Sequence, residues 1–219
     1  MKNIIILILC CFSSIFKAQD FGNLAKYSHA NDSIIASKKP VTTIFMGDSI
    51  TEFWNPKDKD FFAQHQIINR GISGQTTSQM LLRFRQDVIH LHPKQVVILA
   101  GINDIAQNTG PISIENTFAN IISMVELAKM NKIKVVISSV LPAFDFYWKK
   151  GLEPSGKVIA LNILLRDYAQ KNKIPYVDYF SKMKDDRNGL PAQYSDDDIH
   201  PNEVGYQVMQ KILTPYLIK

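Results

Sequence analysis

Gly47-Asp48-Ser49 follows a short run of strand-forming residues ending at Met46, so Ser49 is expected at the carboxyl end of a strand. Open α/β sheets hold their ligands at that edge, and a hydroxyl there is a candidate nucleophile. The tripeptide alone is also ordinary turn and capping chemistry. A serine nucleophile needs a base to take its proton, and His200 is the natural one, because an unperturbed imidazole titrates near neutrality. It stands in Asp196-Asp197-Asp198-Ile199-His200-Pro201-Asn202, where Asp197, three residues earlier, can reach the other ring nitrogen in a tight turn. Such a carboxylate fixes the imidazole tautomer and stabilises the cation. On chemistry alone Asp196 and Asp198 compete for that role, and all three also fit a solvated loop capping a helix from Asn202 onwards.

Attack on an ester carbonyl develops negative charge on oxygen, which requires donors fixed in advance. Gly71-Ile72-Ser73-Gly74 and Gly101-Ile102-Asn103-Asp104 both follow strand-like runs. They offer the backbone N–H of Gly74 and the side-chain amide of Asn103, to which the backbone N–H of Ser49 itself can be added. Taken singly, Gly74 reads as a turn residue and Asn103 as a cap. Asp48 and Asp104 read as structural, holding loops through backbone N–H groups. Trp54 and Trp148 are candidates for substrate contact, the latter within the aromatic stretch Phe144-Asp145-Phe146-Tyr147-Trp148, with core packing the competing role for each. Arg70 and Arg83 are either contacts for an anionic substrate or solvated. His29, His65, His90 and His92 lack ligand spacing, so no metal and no cofactor is called for.

The elements that must position these groups alternate. Strands are expected over Val41 to Met46, Gln66 to Asn69, Gln95 to Ala100, Lys134 to Val140 and Pro175 to Val177. Between them Met80, Leu81, Phe84 and Val88, then Ile114, Phe118, Ile121 and Val125, then Val158, Leu161 and Leu165 recur at helical spacing. Thr76 or Thr77 caps the first of these helices, and Val204, Val208 and Met209 line a closing one. Phe21 to Ser37 is a helix or extended arm, with Leu24, Tyr27, Ile34 and Ile35 as possible core contacts. Strands alternating with helices imply a parallel sheet covered on both faces: one three-layer α/β/α sandwich of about five strands, flavodoxin-like, opening all its loops on one edge. Neither a Gly-x-Gly-x-x-Gly nor a phosphate-loop lysine motif follows a strand, and Gly71-x-Ser73 lacks the Gly of a nucleophile elbow.

The four blocks Gly47-Asp48-Ser49-Ile50, Gly74, Gly101-x-Asn103-Asp104 and Asp197-x-x-His200-Pro201 together resemble the GDSL esterase and lipase family, in its SGNH hydrolase branch. Isoleucine stands at position 50 where the family name has leucine. The resemblance implies a serine esterase with Ser49, Asp197 and His200 as catalytic triad and with Ser49, Gly74 and Asn103 as oxyanion hole.

Met1 to Ala18 has one early lysine and a short apolar run, which reads as a secretory signal peptide, with residues 19–219 forming the hydrolase domain. Phe16 is bulky for a cut after Ala18, so a retained anchor is the lesser alternative. Acylation of Cys10 or Cys11 is disfavoured by Leu9 and Cys10 before them. Without the leader roughly 200 residues remain, enough for one well-buried domain, and both cysteines are gone. Losing Lys2 and Lys17 lowers the net charge of +5 by two. No basic block points to nucleic acid, and no later segment is apolar enough for stable membrane insertion. The expectation is an exported, periplasmic or secreted esterase removing short acyl groups, acetyl above all, from a carbohydrate or other small-molecule ester. Lysophospholipase, thioesterase and arylesterase activities, or carbohydrate binding without turnover, are the alternatives.

Overall fold

The computed structural model describes residues 20–218, so the expected leader lies outside the described residues. In chain order the elements are α1 (Ala25–Ser37), β1 (Thr43–Gly47), α2 (Ser49–Lys57), α3 (Lys59–Gln64), β2 (Ile67–Gly71), α4 (Thr77–Asp87), β3 (Gln95–Leu99), α5 (Ile102–Ile105), α6 (Ile114–Met130), β4 (Lys134–Ser138), α7 (Pro154–Lys171), β5 (Tyr176–Val177), α8 (Tyr179–Met183) and α9 (Glu203–Leu213).

The sheet is parallel throughout, in the order β2-β1-β3-β4-β5. Phe45 of β1 stands between Asn69 of β2 and Val97 of β3, and all five residues of β3 are buried, as a strand covered on both faces requires. Helices α1, α4, α6 and α7 pack in sequence along one face, while α2, α3, α8 and α9 cover the other. The chain leaves β1 toward one edge and later β3 toward the opposite one. The crevice at this reversal opens beyond the carboxyl ends of β1 and β3, which is where such folds bind ligands. This bears out the three-layer sandwich expected from the alternation.

Element ends differ from the sequence expectation for local reasons. β4 stops at Ser138 and not at Val140, because the Asn162 amide takes over from a neighbouring strand: Val140 N–H donates to Asn162 Oδ1 at 2.8 Å, and Asn162 Nδ2 donates to Val140 O at 3.0 Å. The N-terminal stretch is a helix. Tyr27 and Ile34 are half-buried but Leu24 and Ile35 are exposed, and the residue of α1 that is fully buried is the polar Asn31. Among the described residues no helix is long and apolar enough to cross a membrane.

Candidate active site

Ser49 opens α2 directly at the end of β1. Asp48 caps the helix, its side chain accepting from Ile50 N–H at 3.0 Å. The turn is tight because position 47 is glycine: a Cβ there would collide with Thr51 Oγ1 and lie 2.8 Å from Leu99 O, so any side chain would push α2 off the sheet. At the far end of the chain, Tyr206 of α9 donates to Ile50 O at 2.8 Å and ties the last helix to the first turn of α2.

That tie brings the loop before α9 over Ser49. His200 Nε2 lies 2.9 Å from Ser49 Oγ, and His200 Nδ1 lies 2.7 Å from Asp197 Oδ2. A carboxylate only accepts, so Nδ1 carries the proton and Nε2 is left to accept from the serine hydroxyl. The other oxygen of Asp197 accepts from Ser195 Oγ and from the backbone N–H of Ile199 and His200 at 3.1, 3.0 and 2.7 Å. Partial burial pushes this carboxyl up, but hydrogen bonds from His200 and the neighbouring backbone outweigh it and hold the group below its ordinary value. The geometry separates the three aspartates: Asp196 accepts weakly from Asn202 Nδ2 at 3.4 Å, and Asp198 occupies the left-handed turn position with φ 66°.

Ser49, Gly74 and Asn103, the three expected donors, line one hollow. Ser49 N–H sits in the first turn of α2, where a helix has no partner of its own for it. Gly74, at φ 76°, is a turn residue and also lines the hollow beside Ser49. The Asn103 amide is fixed from both ends: its Nδ2 donates to Gln75 O at 3.1 Å, and its Oδ1 accepts from Asn108 Nδ2 at 2.8 Å, leaving one N–H for the hollow. Asn108 Nδ2 also donates to Gly74 O at 3.1 Å. Ser73 N–H is held by Glu52 of α2 at 2.7 Å, and Asp104 accepts from the N–H and hydroxyl of Thr77 at 2.9 and 2.5 Å, so it has the structural place expected of it. The hollow has a volume of about 160 Å³, with Ile102, Ile199 and Trp148 as its apolar walls.

Two expectations are corrected. Trp54 does not face this hollow. It is 2% exposed, stacked between Phe61 and Tyr206 at ring distances of 5.6 and 5.4 Å, because its place one turn after Ile50 points it inward. The residue of α2 that reaches the site is Phe53, four after Ser49, with its ring 5.5 Å from that of His200. Arg70 and Arg83 are neither solvated nor open to a substrate: both are buried, bonded to backbone carbonyls and to Asn31 and Asp87. Trp148 does line the hollow, 41% exposed, and Lys149 beside it anchors the loop by donating to Ala106 O at 3.1 Å.

A parallel α/β sandwich thus carries a hydrogen-bonded chain of serine, histidine and carboxylate at its switch point, the edge where such folds bind ligands. The chain belongs to the GDSL-like lipase/acylhydrolase family, whose model matches residues 45–208. A GDSL-like lipase from Bacteroides thetaiotaomicron VPI-5482 is 43% identical, with 90% of this chain and 97% of that one aligned at a TM-score of 0.85. A structure from Bacteroides fragilis NCTC 9343 is 45% identical over 89% and 95% of the two chains, with a TM-score of 0.86. An acetylxylan esterase from Geobacillus stearothermophilus shares the fold at 17% identity over 80% and 92%, with a TM-score of 0.64. The uncharacterized lipoprotein YqeF of Bacillus subtilis is 28% identical over 130 residues, 51% of this chain, and the chain spans about half (54%) of its length.

Proposed function

We propose that this protein is a serine esterase that removes short acyl groups, acetyl in particular, from carbohydrate esters. In this reading Ser49 Oγ attacks the ester carbonyl while His200 Nε2 takes its proton, and Asp197 holds the imidazole in the required tautomer and stabilises the imidazolium. The N–H groups of Ser49 and Gly74 and the amide of Asn103 receive the developing oxyanion. His200 then protonates the leaving alcohol, and a water repeats the sequence on the acyl-enzyme, returning the serine and releasing the carboxylic acid.

The observation that carries the choice of substrate is the size of the hollow beside Ser49. At about 160 Å³ it lies below the roughly 300–1,000 Å³ of clefts that enclose drug-sized ligands, and so favours an acyl group of a few atoms over a lipid tail. The rim of Trp148, Tyr147 and Phe53 offers partly exposed aromatic faces to an alcohol with apolar faces of its own, as a pyranose has. Acetylxylan ester cleavage by a protein of the same fold supports this reading. The leader expected over residues 1–18 agrees with it, since export would deliver the enzyme to extracellular glycans. p-Nitrophenyl esters of two to twelve carbons, run beside acetylated sugars, test the proposal. Turnover is expected to be highest for acetate, and a maximum at eight carbons or more would overturn the short-acyl assignment.

A further inference from the structure

A second hollow of about 540 Å³ meets the first along Ser73, Gly74 and Asn108, residues that line both. Its far side is built by Asp20, Phe21 and Asn23 of the stretch before α1, by Gln79 in the first turn of α4 and by Thr109 of the loop between α5 and α6. Apart from Gly74 no residue of the proposed ester-cleaving machinery lines it, and its volume falls within the range of small-molecule clefts.

The walls are tied to one another by hydrogen bonds and are uncharged apart from one carboxylate. Gln79 Nε2 donates to Phe21 O at 2.9 Å, and Gln79 Oε1 accepts from Thr76 N–H at 3.1 Å, so α4 holds the stretch before α1 in place. Asp20 Oδ2 accepts from Ala25 N–H at 3.0 Å, and the Gln75 side chain ties Gly22 O to this turn at 2.9 Å. Thr109 Oγ1 pairs with Thr76 Oγ1 at 3.2 Å. On this fixed turn the Phe21 ring is 47% exposed. Neither lysine nor arginine lines the hollow, so a phosphate or carboxylate would find no cation there. The Asn23 amide and the hydroxyls of Ser73 and Thr109, beside one open aromatic face, are the chemistry that recognises a neutral polyol ring: hydrogen bonds to its hydroxyls, and contact with its apolar face.

We propose that this hollow is a saccharide subsite, holding the sugar unit next to the one whose ester is cleaved at Ser49. The inference rests on the carbohydrate-esterase reading and extends it: the natural substrate is an acetylated oligosaccharide or polysaccharide, and the stretch before α1 is a specificity element. Asn108 joins the two hollows, since the amide that steadies Asn103 and Gly74 also forms the ridge that the glycan crosses.

The test compares kcat/KM for acetylated xylose and acetylated xylotriose in the full chain, in Phe21→Ala, and in Thr109→Arg, which fills the groove from an exposed loop. Circular dichroism and thermal melting establish that each variant is folded. The trimer is expected to exceed the monomer by about tenfold in the wild type, equivalent to about 1.4 kcal/mol. Both variants are expected to bring that ratio close to one, mainly by raising KM for the trimer. Hydrolysis of both sugars at equal rates, or a ratio that survives both substitutions, would overturn the subsite while leaving the esterase reading standing. Turnover of p-nitrophenyl acetate with none of either sugar would overturn the carbohydrate reading and the subsite with it.

Discussion

The guanidinium of Arg83 donates to the carbonyl of Gly47 at 3.0 Å, joining the middle of α4 to the strand end that carries Ser49. The same side chain donates to Arg70 O at 2.9 Å and Gln75 Oε1 at 2.5 Å, and it pairs with Asp87 at 2.9 Å with both side chains essentially inaccessible. Three segments that surround the candidate site, the ends of β1 and β2 and the turn before α4, are thereby set relative to one another by one buried cation.

Arg83→Met removes that cation and leaves the buried Asp87 carboxylate bonded to the Asn31 amide and weakly to Gln86, with the Arg70 cation still acting on it from farther off. Breaking a buried pair from one side costs about 3–5 kcal/mol, most of it the uncompensated charge. Urea unfolding is expected to show a loss of that size, with Arg83→Met/Asp87→Leu recovering part of it. A double variant as unstable as the sum of the two single ones would show that the pair is not the source.

Asp197→Asn separates orientation from folding. The amide oxygen can still accept from the backbone N–H of Ile199 and His200, but an NH₂ group then faces His200 Nδ1 and forces the proton onto Nε2, where it cannot accept from Ser49. Activity on p-nitrophenyl acetate is expected to fall on the order of 10⁴-fold with little change in melting temperature. Ser49→Ala and His200→Ala should lose at least as much, and a fluorophosphonate should label Ser49 in the wild type alone. Labelling of another serine would refute the assignment.

Asn103→Ala withdraws the amide proposed as an oxyanion donor and frees Gln75 O and Asn108. A loss of roughly 10²–10³-fold in kcat is expected, with KM for small esters much less affected, because the donor acts on charge that appears only in the transition state. A change confined to KM would assign Asn103 to substrate binding instead.

The convergence of Ser49, Gly74, Asn103, Asp197 and His200 was legible because each follows a strand or precedes a helix whose apolar spacing is plain, and a parallel sheet brings such ends to one edge. The orientation of α2 was not read, although the signal was present. Once a helix begins at Ser49, the four-residue step places Phe53 on the site face and sends Trp54 inward with Ile50. Arg70 and Arg83 could not be read from periodicity, since their partners are scattered. Asn31 lies 39 residues before Arg70, and the carbonyl of Gly47 lies 36 before Arg83. The groove built by Phe21 and Asn23 was hidden for the same reason: its walls come together only when α1 docks on α4.

The pH dependence of stability turns on Asp48, which is 1% exposed and precedes Ser49. Burial pushes its carboxyl up to about 7 from an ordinary value of 3.8, with the nearby Asp104 carboxylate adding to the rise and Ile50 N–H and Arg83 opposing it. The folded state therefore holds a proton that the unfolded chain has already released. Between about pH 4 and 7 folding takes up protons, so this group's contribution to stability is present in full below that window and is lost as pH rises through it. Asp104 is shifted in the same direction by its own burial, whereas the lowered Asp197 and Asp185 act oppositely, their contribution being lost only as pH falls below the ordinary carboxylate range. Asp48→Asn keeps an oxygen to accept from Ile50 N–H but cannot ionise. Melting temperatures at pH 5 and pH 8 are expected to show the variant gaining on the wild type at the higher pH. Parallel curves for the two proteins would mean that Asp48 is ionised in the folded state across the whole range, sustained by its backbone donor and the buried Arg83.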